Sequence, residues 1–434
     1  MFATVFGMRM KSTQQLVIQA VLLLLLLLAP FSGHAQTKVI KDLRPTVILI
    51  SLDGFRYDYL TKYPSPNLNS LARTGVRARW LIPSFPTKTY PNHYTIVTGL
   101  YPAHHGIVEN EIYDRKFDAV FNLSKREEVE NGRWWLGEPI WVTAEKQNQR
   151  AASVFFPGTE AEIAGKRPSY WKLYDAKISN ADRVNTILKW LDLPLAQRPT
   201  FLSLYFSDTD DAGHHFGPDS PEVGQAVAEL DTAIGKLIRG LRARKIFPQV
   251  NLIIVSDHGM APADPKNVIL LDQMFDKDFA ERIFWTPEIV SIFPRAGNEL
   301  KIYSSLRQRL PPQARVFRKS EIPARFHYRD SPRIAPLVVL PEEGWALMNR
   351  EGLAAMNASV TGPAKGRHGY DNQLRSMRAI FIAHGQAFKR HTIVKPFANI
   401  QLYNVMTRIL GLRPAPNDGN FAITGKVLRR RFND

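Results

Sequence analysis

Residues 46–54 read TVILISLDG, an unbroken aliphatic run that ends in an acidic residue and a glycine. Such a run, rich in β-branched side chains, is typical of a strand buried on both faces of a sheet. The Asp53-Gly54 pair then predicts a turn directly after the strand. The stretch therefore predicts a central strand with a carboxylate at its carboxyl end.

Three further runs repeat this pattern, namely residues 201–206, 250–256 and 379–383. Helical patterns lie between them, at residues 67–74, 92–98 and 221–245. This alternation predicts an α/β fold with a largely parallel central sheet and helices on both faces. We expect residues 36–434 to form a single domain. The stretch of about 260–362 is richer in Pro and Arg and less regular, which indicates a smaller inserted lobe.

The first 35 residues have the composition of a secretory signal peptide. Arg9 and Lys11 precede an apolar core, and small residues follow it up to Ala35, after which cleavage is expected. An uncleaved membrane anchor is the alternative, although the apolar core is short for a span. Because an exported chain without cysteine cannot form disulfides, we expect a bacterial, periplasmic or secreted protein with no transmembrane span after signal removal.

The chain carries a formal charge of +17, or +15 without Arg9 and Lys11. A basic surface attracts anionic substrates or anionic envelope groups. The basic residues are dispersed except in the tail Arg429-Arg430-Arg431, so we expect no stable nucleic-acid partner. A solvated basic face is the simpler interpretation of the tail.

Carboxylates and imidazoles with metal-ligand character follow the predicted strands. In open α/β sheets ligands bind beyond the carboxyl ends of the strands, so these side chains are expected to converge. Individually each could equally be a turn residue, a helix cap or a surface imidazole. The candidates are Asp53, Asp210, His214, Asp257, His258 and His368.

The spacing of these residues supports divalent-metal binding. Asp257-His258 offers adjacent oxygen and nitrogen ligands on a turn. Asp210 and His214 lie four residues apart, and Gly213 is expected to permit a tight bend between them. His368 has glycines close on both sides. We expect His93, His104, His105, His327 and His384 to be structural or to support the ligands.

A hydroxyl nucleophile is predicted in residues 86–93, PTKTYPNH. Pro91 is well placed to open a helix, so Thr89 would lie near its positive end, where an alkoxide or a phosphate is stabilised. A bound metal would lower the pKa of the hydroxyl. Thr89 could instead only cap the helix. Asn110 could donate an amide N–H to a negative oxygen, or could be a turn residue.

Eight segments together resemble the nucleotide pyrophosphatase/phosphodiesterase family of the alkaline phosphatase superfamily, over nearly the whole mature chain. They include residues 86–110, PTKTYPNHYTIVTGLYPAHHGIVEN, and DDAGH at 210–214. The others lie at residues 51–56, 137–147, 256–260, 366–372, 377–385 and 414–419.

The resemblance implies an alkaline-phosphatase-like fold and two zinc ions per chain. It assigns one ion to Asp210, His214 and His368, and the other to Asp53, Thr89, Asp257 and His258. It makes Thr89 the nucleophile and Asn110 a partner of the phosphoryl oxygen. Tyr90 and Tyr205 would face a nucleobase, one from each side.

The implied activity is zinc-dependent hydrolysis of nucleotide phosphodiester and pyrophosphate bonds, releasing nucleoside 5'-monophosphates through a nucleotidyl-threonine intermediate. The substrates would be small nucleotides. An alternative in the same superfamily is a choline or glycerol phosphodiesterase, with the two tyrosines as a wall for a cation. A catalytically silent envelope-binding protein would lack ligands, and none of the implied ligands is missing.

Two departures from the family pattern concern the substrate pocket. Position 90 is Tyr where many relatives have Phe, which keeps the stacking face. Asp208-Thr209 replaces an acidic-Pro pair before Asp210, so contacts near the base or leaving group are expected to differ.

Overall fold

The aliphatic run at residues 46–54 forms the strand Val47–Leu52, and all six of its residues are buried. It lies inside an eight-stranded sheet and pairs in parallel with Phe201–Phe206 and Asn251–Val255. The structure, a computed structural model, describes residues 38–360 and 362–432. The predicted signal peptide lies outside these described residues.

The central sheet is mostly parallel, as the sequence predicts. Only Phe381–His384 runs antiparallel to its two neighbours, Val76–Ala78 and Asn251–Val255. The strand order across the sheet is Thr392–Val394, Val76–Ala78, Phe381–His384, Asn251–Val255, Val47–Leu52, Phe201–Phe206, Ala151–Val154 and Tyr170–Lys172.

Helices cover both faces of this sheet, which confirms the predicted α/β class. Alternate residues of the first strand point to opposite faces, so Leu49 joins one hydrophobic cluster and Ile50 the other. The cluster around Ile50 includes side chains of the helices Pro66–Thr74, Asn180–Leu191 and Pro221–Ala243. The cluster around Leu49 includes side chains of Thr89–Thr98, Ile140–Lys146 and Leu402–Leu410.

A second, four-stranded antiparallel sheet follows the strand Asn251–Val255 in the chain. Its strand order is Ala280–Thr286, Ile289–Pro294, Leu337–Pro341 and Ala314–Arg318. The helix Glu299–Arg309 packs with it around a separate hydrophobic cluster. The short antiparallel pair Ala261–Pro262 and Gly366–Arg367 joins the two ends of this segment, so the chain returns to the main sheet where it left it.

Shorter elements complete the described chain. Two-stranded pairs are Leu81–Ile82 with Phe397–Ala398, Glu111–Asp114 with Ala119–Asn122, and Val268–Leu270 with Ala346–Met348. The remaining α-helices are Tyr59–Lys62, Pro102–His105, Arg126–Val129, Asp208–Phe216, Arg350–Ala358 and Thr424–Val427. In the part of the chain that the structure describes, no helix has both the length and the apolar character to cross a membrane.

Candidate metal centre and active site

Three carboxylates from distant parts of the sequence meet at the carboxyl edge of the main sheet. The turn after the first strand places Gly54 at φ 63°, and its N–H donates to Asp257 Oδ1 at 3.2 Å. A Cβ atom on Gly54 would lie 2.9 Å from the Cα atom of Asp210. A glycine is therefore required both for the positive φ and for the close approach that brings Asp53 beside Asp210 and Asp257.

Asp210 and His214 lie on the helix Asp208–Phe216, so the expected tight bend between them is wrong. Residues four apart share one face of a helix, which directs both side chains to the same point. Gly213 serves packing instead of a bend. A Cβ atom on Gly366 would lie 2.3 Å from the carbonyl oxygen of Gly213, so the two backbones touch. This contact joins the helix to the strand that precedes His368.

The three predicted imidazole ligands share one orientation. Each donates its Nδ1–H to a backbone carbonyl: His214 to Gly366 at 2.9 Å, His258 to Gly259 at 2.9 Å and His368 to Thr87 at 2.8 Å. In the neutral rings every Nε2 is therefore left with a lone pair. The Nε2 atoms of His214 and His368 lie only 3.1 Å apart. Two facing lone pairs repel, so a cation between them fits this arrangement.

The carboxylates leave complementary oxygens without partners. Among the described residues, Asp53 Oδ1, Asp210 Oδ1 and Asp257 Oδ2 are buried and accept no hydrogen bond. Burial raises the pKa of Asp53, and the neighbouring carboxylates Asp257 and Asp210 raise it further. Burial also raises the pKa of Asp257. Buried carboxylates so close together need cations to stay ionised, and oxygen with imidazole nitrogen is a donor set that suits zinc.

The ligand atoms fall into overlapping clusters. Asp210, His214 and His368 form one group, which matches the first metal site that the resemblance implies. Asp53 belongs to two more groups, one with Asp210 and His258, the other with His93 and Asp257. His258 Nε2 lies 3.5 Å from Asp53 Oδ1 and 3.0 Å from Asp257 Oδ2. The groups overlap because Asp53 and Asp210 each belong to two of them, so the edge of the sheet offers more than one candidate metal site.

Thr89 lies beside this cluster at the start of the helix Thr89–Thr98. Its Oγ1 is 3.4 Å from His258 Nε2. The N-cap residue is Lys88, and no side chain caps this helix end. The hydroxyl of Thr89 therefore faces the ligand cluster and does not serve as the helix cap.

His93 holds the first turn of this helix against the cluster. Its Nδ1 contacts the carbonyl oxygen of Thr89 at 2.8 Å and Asp257 Oδ2 at 3.3 Å, while its Nε2 is 2.8 Å from the Ser51 hydroxyl. Burial lowers the pKa of His93 to about 3, so the ring is neutral. A neutral ring that donates from Nδ1 can accept the Ser51 hydroxyl at Nε2. His93 thus supports both Thr89 and Asp257.

Asn110 is oriented by the backbone of the same helix. Its Oδ1 accepts the Tyr90 N–H at 3.1 Å, which turns the amide NH₂ the other way. Within the described chain that NH₂ group has no hydrogen-bond partner, so it is free to donate to a bound oxygen. The role of Asn110 as a donor to a phosphoryl oxygen stays a prediction.

The two tyrosines predicted to face a nucleobase have unequal surroundings. Tyr90 is half-buried against Phe121 and Trp135. Tyr205 is buried, and its hydroxyl donates to Asp53 Oδ2 at 2.6 Å. The hydroxyl of Tyr205 therefore contacts a candidate metal ligand, a contact that the sequence interpretation missed.

An exposed aromatic ring in the neighbourhood of Tyr90 was also missed. Tyr174 is 40% exposed and packs edge-on against Phe155. Burial raises the pKa of Tyr90, and Glu160 and Tyr174 lie close enough to raise it further. The aromatic composition of residues 170–174, YWKLY, is the signal that could have indicated an aromatic surface there.

A buried ionic group links the site to the second sheet. Glu288, in the turn between the strands Ala280–Thr286 and Ile289–Pro294, pairs with Lys88 through one oxygen and with Arg367 through the other, at 2.9 Å. Although burial alone would raise the pKa of Glu288, these two cations lower it. Lys88 immediately precedes Thr89, and Arg367 immediately precedes His368. One carboxylate therefore fixes both backbone segments.

The protein has a mostly parallel sheet that is covered by helices on both faces. Candidate carboxylate and imidazole ligands lie at one edge of this sheet, beside a threonine at the start of a helix. These features define a class of metal-binding α/β proteins. Within that class, the chain belongs to the type I phosphodiesterase/nucleotide pyrophosphatase family, whose model matches residues 47–371. The family predicted from the sequence is thereby confirmed.

Known relatives agree with this assignment. Ectonucleotide pyrophosphatase/phosphodiesterase family member 3 of Bos taurus is 39% identical over 89% of the chain and 44% of its own length. An uncharacterised pyrophosphatase/phosphodiesterase of Schizosaccharomyces pombe is 42% identical over 90% of the chain and 82% of its own length. A venom phosphodiesterase of Crotalus durissus collilineatus is 39% identical over 89% of the chain and 47% of its own length.

A solved structure gives the same picture for the fold. An inactive variant of murine ectonucleotide pyrophosphatase/phosphodiesterase 5, in complex with AMP, superposes with a TM-score of 0.82 at 33% identity, covering 88% of this chain and 99% of that one. The chain spans less than half the length of the bovine and venom relatives. The expectation of a bacterial-type member finds no support here, because these relatives come from animals and a yeast.

Proposed function

We propose that the protein hydrolyses phosphodiester and pyrophosphate bonds of small nucleotides and releases nucleoside 5'-monophosphates, with two zinc ions held at the sheet edge. The observation that carries the proposal is the convergence of three unpartnered carboxylate oxygens and three imidazole Nε2 atoms beside the Thr89 hydroxyl. The activities in the names of the relatives and the AMP bound to murine family member 5 support the nucleotide class.

Thr89 is the proposed nucleophile. Zinc, when bound, would supply Lewis acidity and lower the pKa of oxygens beside it. The first metal would be held by Asp210, His214 and His368, and the second by Asp53, Asp257 and His258 together with the Thr89 oxygen. Thr89 Oγ1 loses its proton and attacks phosphorus, which gives a nucleotidyl-threonine ester and expels the leaving alcohol or phosphate. Water then hydrolyses this ester, so the configuration at phosphorus is retained overall.

The surrounding residues orient this reaction. The N-terminal end of the helix Thr89–Thr98 favours negative charge at the phosphoryl group. Asn110, fixed by the Tyr90 N–H, donates to a non-bridging oxygen as negative charge grows there. Neutral His93 keeps the first helical turn in place through the carbonyl of Thr89.

The base pocket is proposed on the open side of Tyr90. Tyr90 offers one aromatic face, and the exposed ring of Tyr174 is better placed to offer the other than buried Tyr205. Tyr205, which the sequence interpretation assigned to the base, is instead proposed to hold Asp53.

Substrate preference and the nucleophile can be tested together. We expect p-nitrophenyl thymidine monophosphate to be turned over faster than p-nitrophenyl phosphate or p-nitrophenyl phosphorylcholine. Thr89→Ala should reduce kcat for the nucleotide diester by more than about a thousandfold, because removal of a nucleophile leaves only residual catalysis. Thr89→Ser, which retains a hydroxyl, is the matched control and should keep measurable turnover.

Each part of the proposal can be contradicted by a separate result. A preference for the phosphorylcholine ester would replace the nucleotide assignment by the choline phosphodiesterase alternative. Near-normal turnover by Thr89→Ala would remove Thr89 from the mechanism. Fewer than two zinc ions per chain by metal analysis of the purified protein would contradict the paired site.

A further inference from the structure

A basic cavity lies at the outer side of the strand Phe381–His384. Its volume is about 330 Å³. Its basic side chains are Lys389, Arg390 and Arg429, and the imidazoles of His384 and His391 also line it. Among the described residues that line it, none is an aspartate or a glutamate. Arg429 also begins the basic run Arg429-Arg430-Arg431, for which the proposed reaction has no use.

The cations of this cavity are held in place without being neutralised. Lys389 Nζ donates to the carbonyl oxygen of Gly425 at 2.7 Å, and Arg429 Nε donates to that of Phe388 at 2.7 Å. Arg390 is exposed and, within the described residues, its guanidinium group makes no hydrogen bond or ion pair. Since carbonyl oxygens fix two side chains but leave their positive charges unopposed, the cavity keeps an uncompensated positive potential.

The imidazole of His384 lines the cavity and carries a nitrogen without a hydrogen-bond partner among the described residues. The imidazole of His384 stacks on Phe247 with centroids 5.0 Å apart and an interplanar angle of 20°. Its Nδ1 is buried and has no hydrogen-bond partner in the described part of the chain. The pKa of His384 is lowered by burial and then by the charges of Arg390 and Arg242. Both guanidinium groups therefore lie close to this imidazole.

The cavity is remote from the candidate active site. His384 pairs with Leu252, near the beginning of the strand Asn251–Val255, whereas Asp257 follows the end of that strand. Five residues of extended chain separate the two ends by roughly 16 Å. A molecule bound in the cavity would therefore lie at the opposite end of the sheet from the candidate metal-binding residues.

We propose that this cavity is a second binding site, separate from the proposed catalytic site, for a small ligand that carries two or more phosphate or sulfate groups. A compact polyanion matches several fixed positive charges, and guanidinium groups bind such oxyanions through paired N–H donors. The room in the cavity accommodates more than a single tetrahedral oxyanion. The inference does not depend on the proposed hydrolysis.

The probe for this site is myo-inositol hexakissulfate, which offers no phosphodiester or pyrophosphate bond to cleave. We expect isothermal titration calorimetry at fixed ionic strength to detect binding to the full-length protein. Arg390→Glu should weaken binding at least tenfold, because an exposed cation becomes an anion at the cavity. His384→Phe keeps the stack on Phe247 but removes the unpartnered nitrogen, and should weaken binding several-fold.

The matched control is Lys301→Glu, which makes the same charge reversal at an exposed position of the helix Glu299–Arg309. It should bind the probe like the wild type, and all three variants should keep normal turnover of p-nitrophenyl thymidine monophosphate if that activity exists. Equal weakening by Lys301→Glu and Arg390→Glu would mean unspecific charge attraction and would overturn the site. Unchanged binding by Arg390→Glu, or displacement of the probe by AMP, would overturn it as well. Absence of turnover in the wild-type protein would count against the proposed function and not against this cavity.

Discussion

The hydrogen bond from Tyr205 to Asp53 gives that tyrosine a role different from the predicted base contact. Groups that hold metal ligands in place typically contribute 10- to 100-fold to metal affinity. We therefore expect Tyr205→Phe, which keeps the ring but removes the hydroxyl, to weaken zinc binding roughly 10-fold. KM for a nucleotide diester at saturating zinc should hardly change. Competition with a calibrated chelator measures the affinity.

Tyr174→Ala is the complementary variant. Because Tyr174 is exposed beside Tyr90, its loss should raise KM for the nucleotide diester and leave zinc affinity unchanged. If Tyr205→Phe kept full zinc affinity, the hydroxyl of Tyr205 would not hold Asp53. Tyr205 would then be available for the predicted contact with the base.

Glu288 offers a second test at the residue scale. Glu288→Gln removes the shared counter-charge of buried Lys88 and half-buried Arg367, and breaking a buried ion pair typically costs about 3–5 kcal/mol. We expect the free energy of unfolding to fall by about 3 kcal/mol. We also expect kcat/KM to fall more than about tenfold, since Thr89 and His368 each follow one of the released cations. Denaturant unfolding and steady-state kinetics measure the two effects.

Glu281→Gln is the control for that prediction. Glu281 lies on the adjoining strand Ala280–Thr286 and pairs at the surface with Arg115 at 2.9 Å. An exposed pair contributes little, so its loss should change stability by less than about 1 kcal/mol and leave kinetics intact. Equal effects of the two variants would show that Glu288 has no special positioning role.

The sequence predicts side-chain chemistry at single residues better than their contacts. Asp53 was identified because an acid directly follows a buried strand. The bond that it accepts from Tyr205 depends on the parallel pairing of Ser51 with Tyr205, which no local pattern encodes. Glu288 escaped notice for the same reason, since Lys88 and Arg367 are distant from it in the chain.

At the scale of elements, the helix Asp208–Phe216 and the strand Gly366–Arg367 form one ligand-bearing unit. Their backbones touch where Gly213 faces Gly366. In Gly366→Ala the new Cβ would overlap a backbone oxygen, which cannot move aside as a side chain can. We expect a loss of about 1–3 kcal/mol in stability and weaker zinc binding, because His214 and His368 move apart.

Two glycine variants calibrate this expectation. In Gly213→Ala the Cβ would meet the flexible end of Met260 at 3.0 Å, so a smaller loss is expected. In Gly425→Ala nothing lies within 4 Å, and the stability should be unchanged or slightly higher. Thermal unfolding of the three variants, with and without zinc, measures the order. Equal stability of Gly366→Ala and Gly425→Ala would contradict the backbone contact.

The elements themselves were partly predictable. Buried strands showed as aliphatic runs, and their parallel arrangement followed from the helices between them. The sequence predicts a tight bend instead of the helix Asp208–Phe216, because the segment is rich in polar residues and contains a glycine, although it also carries a helix signal. That signal was Ser207 followed by acidic residues, which together favour a helix start, and a four-residue spacing of Asp210 and His214.

At the scale of the whole molecule, the sheet edge is what assembles the site. The rule that ligands gather beyond the carboxyl ends of parallel strands was enough to bring Asp53, Asp210 and Asp257 together. It did not apply to Thr89 and His368, which do not follow a central parallel strand and were suggested by a helix start and by flanking glycines instead. The family resemblance then assigned their roles, because long-range packing determines their position.

This assembly makes the stability of the metal-free protein depend on pH. The usual pKa of an aspartate is 3.8, and burial with mutual repulsion raises that of Asp53 and Asp257 in the folded chain. Between the unfolded and folded pKa values, the folded state holds protons that the unfolded state has lost. Stability therefore decreases as pH rises from about 4 through the folded pKa values.

We accordingly expect the Tm of chelator-treated protein to fall between pH 5 and pH 8, and zinc to restore it most strongly at the higher pH, because the metal replaces the protons. Asp53→Asn/Asp257→Asn keeps the shape of both side chains without their charge, so its metal-free Tm should fall less over the same range. Calorimetry of both proteins, with and without zinc, measures the difference between the two slopes. Identical slopes would mean that Asp53 and Asp257 do not cause the pH dependence of the metal-free protein. The groups that bind zinc would then have to be sought among other residues.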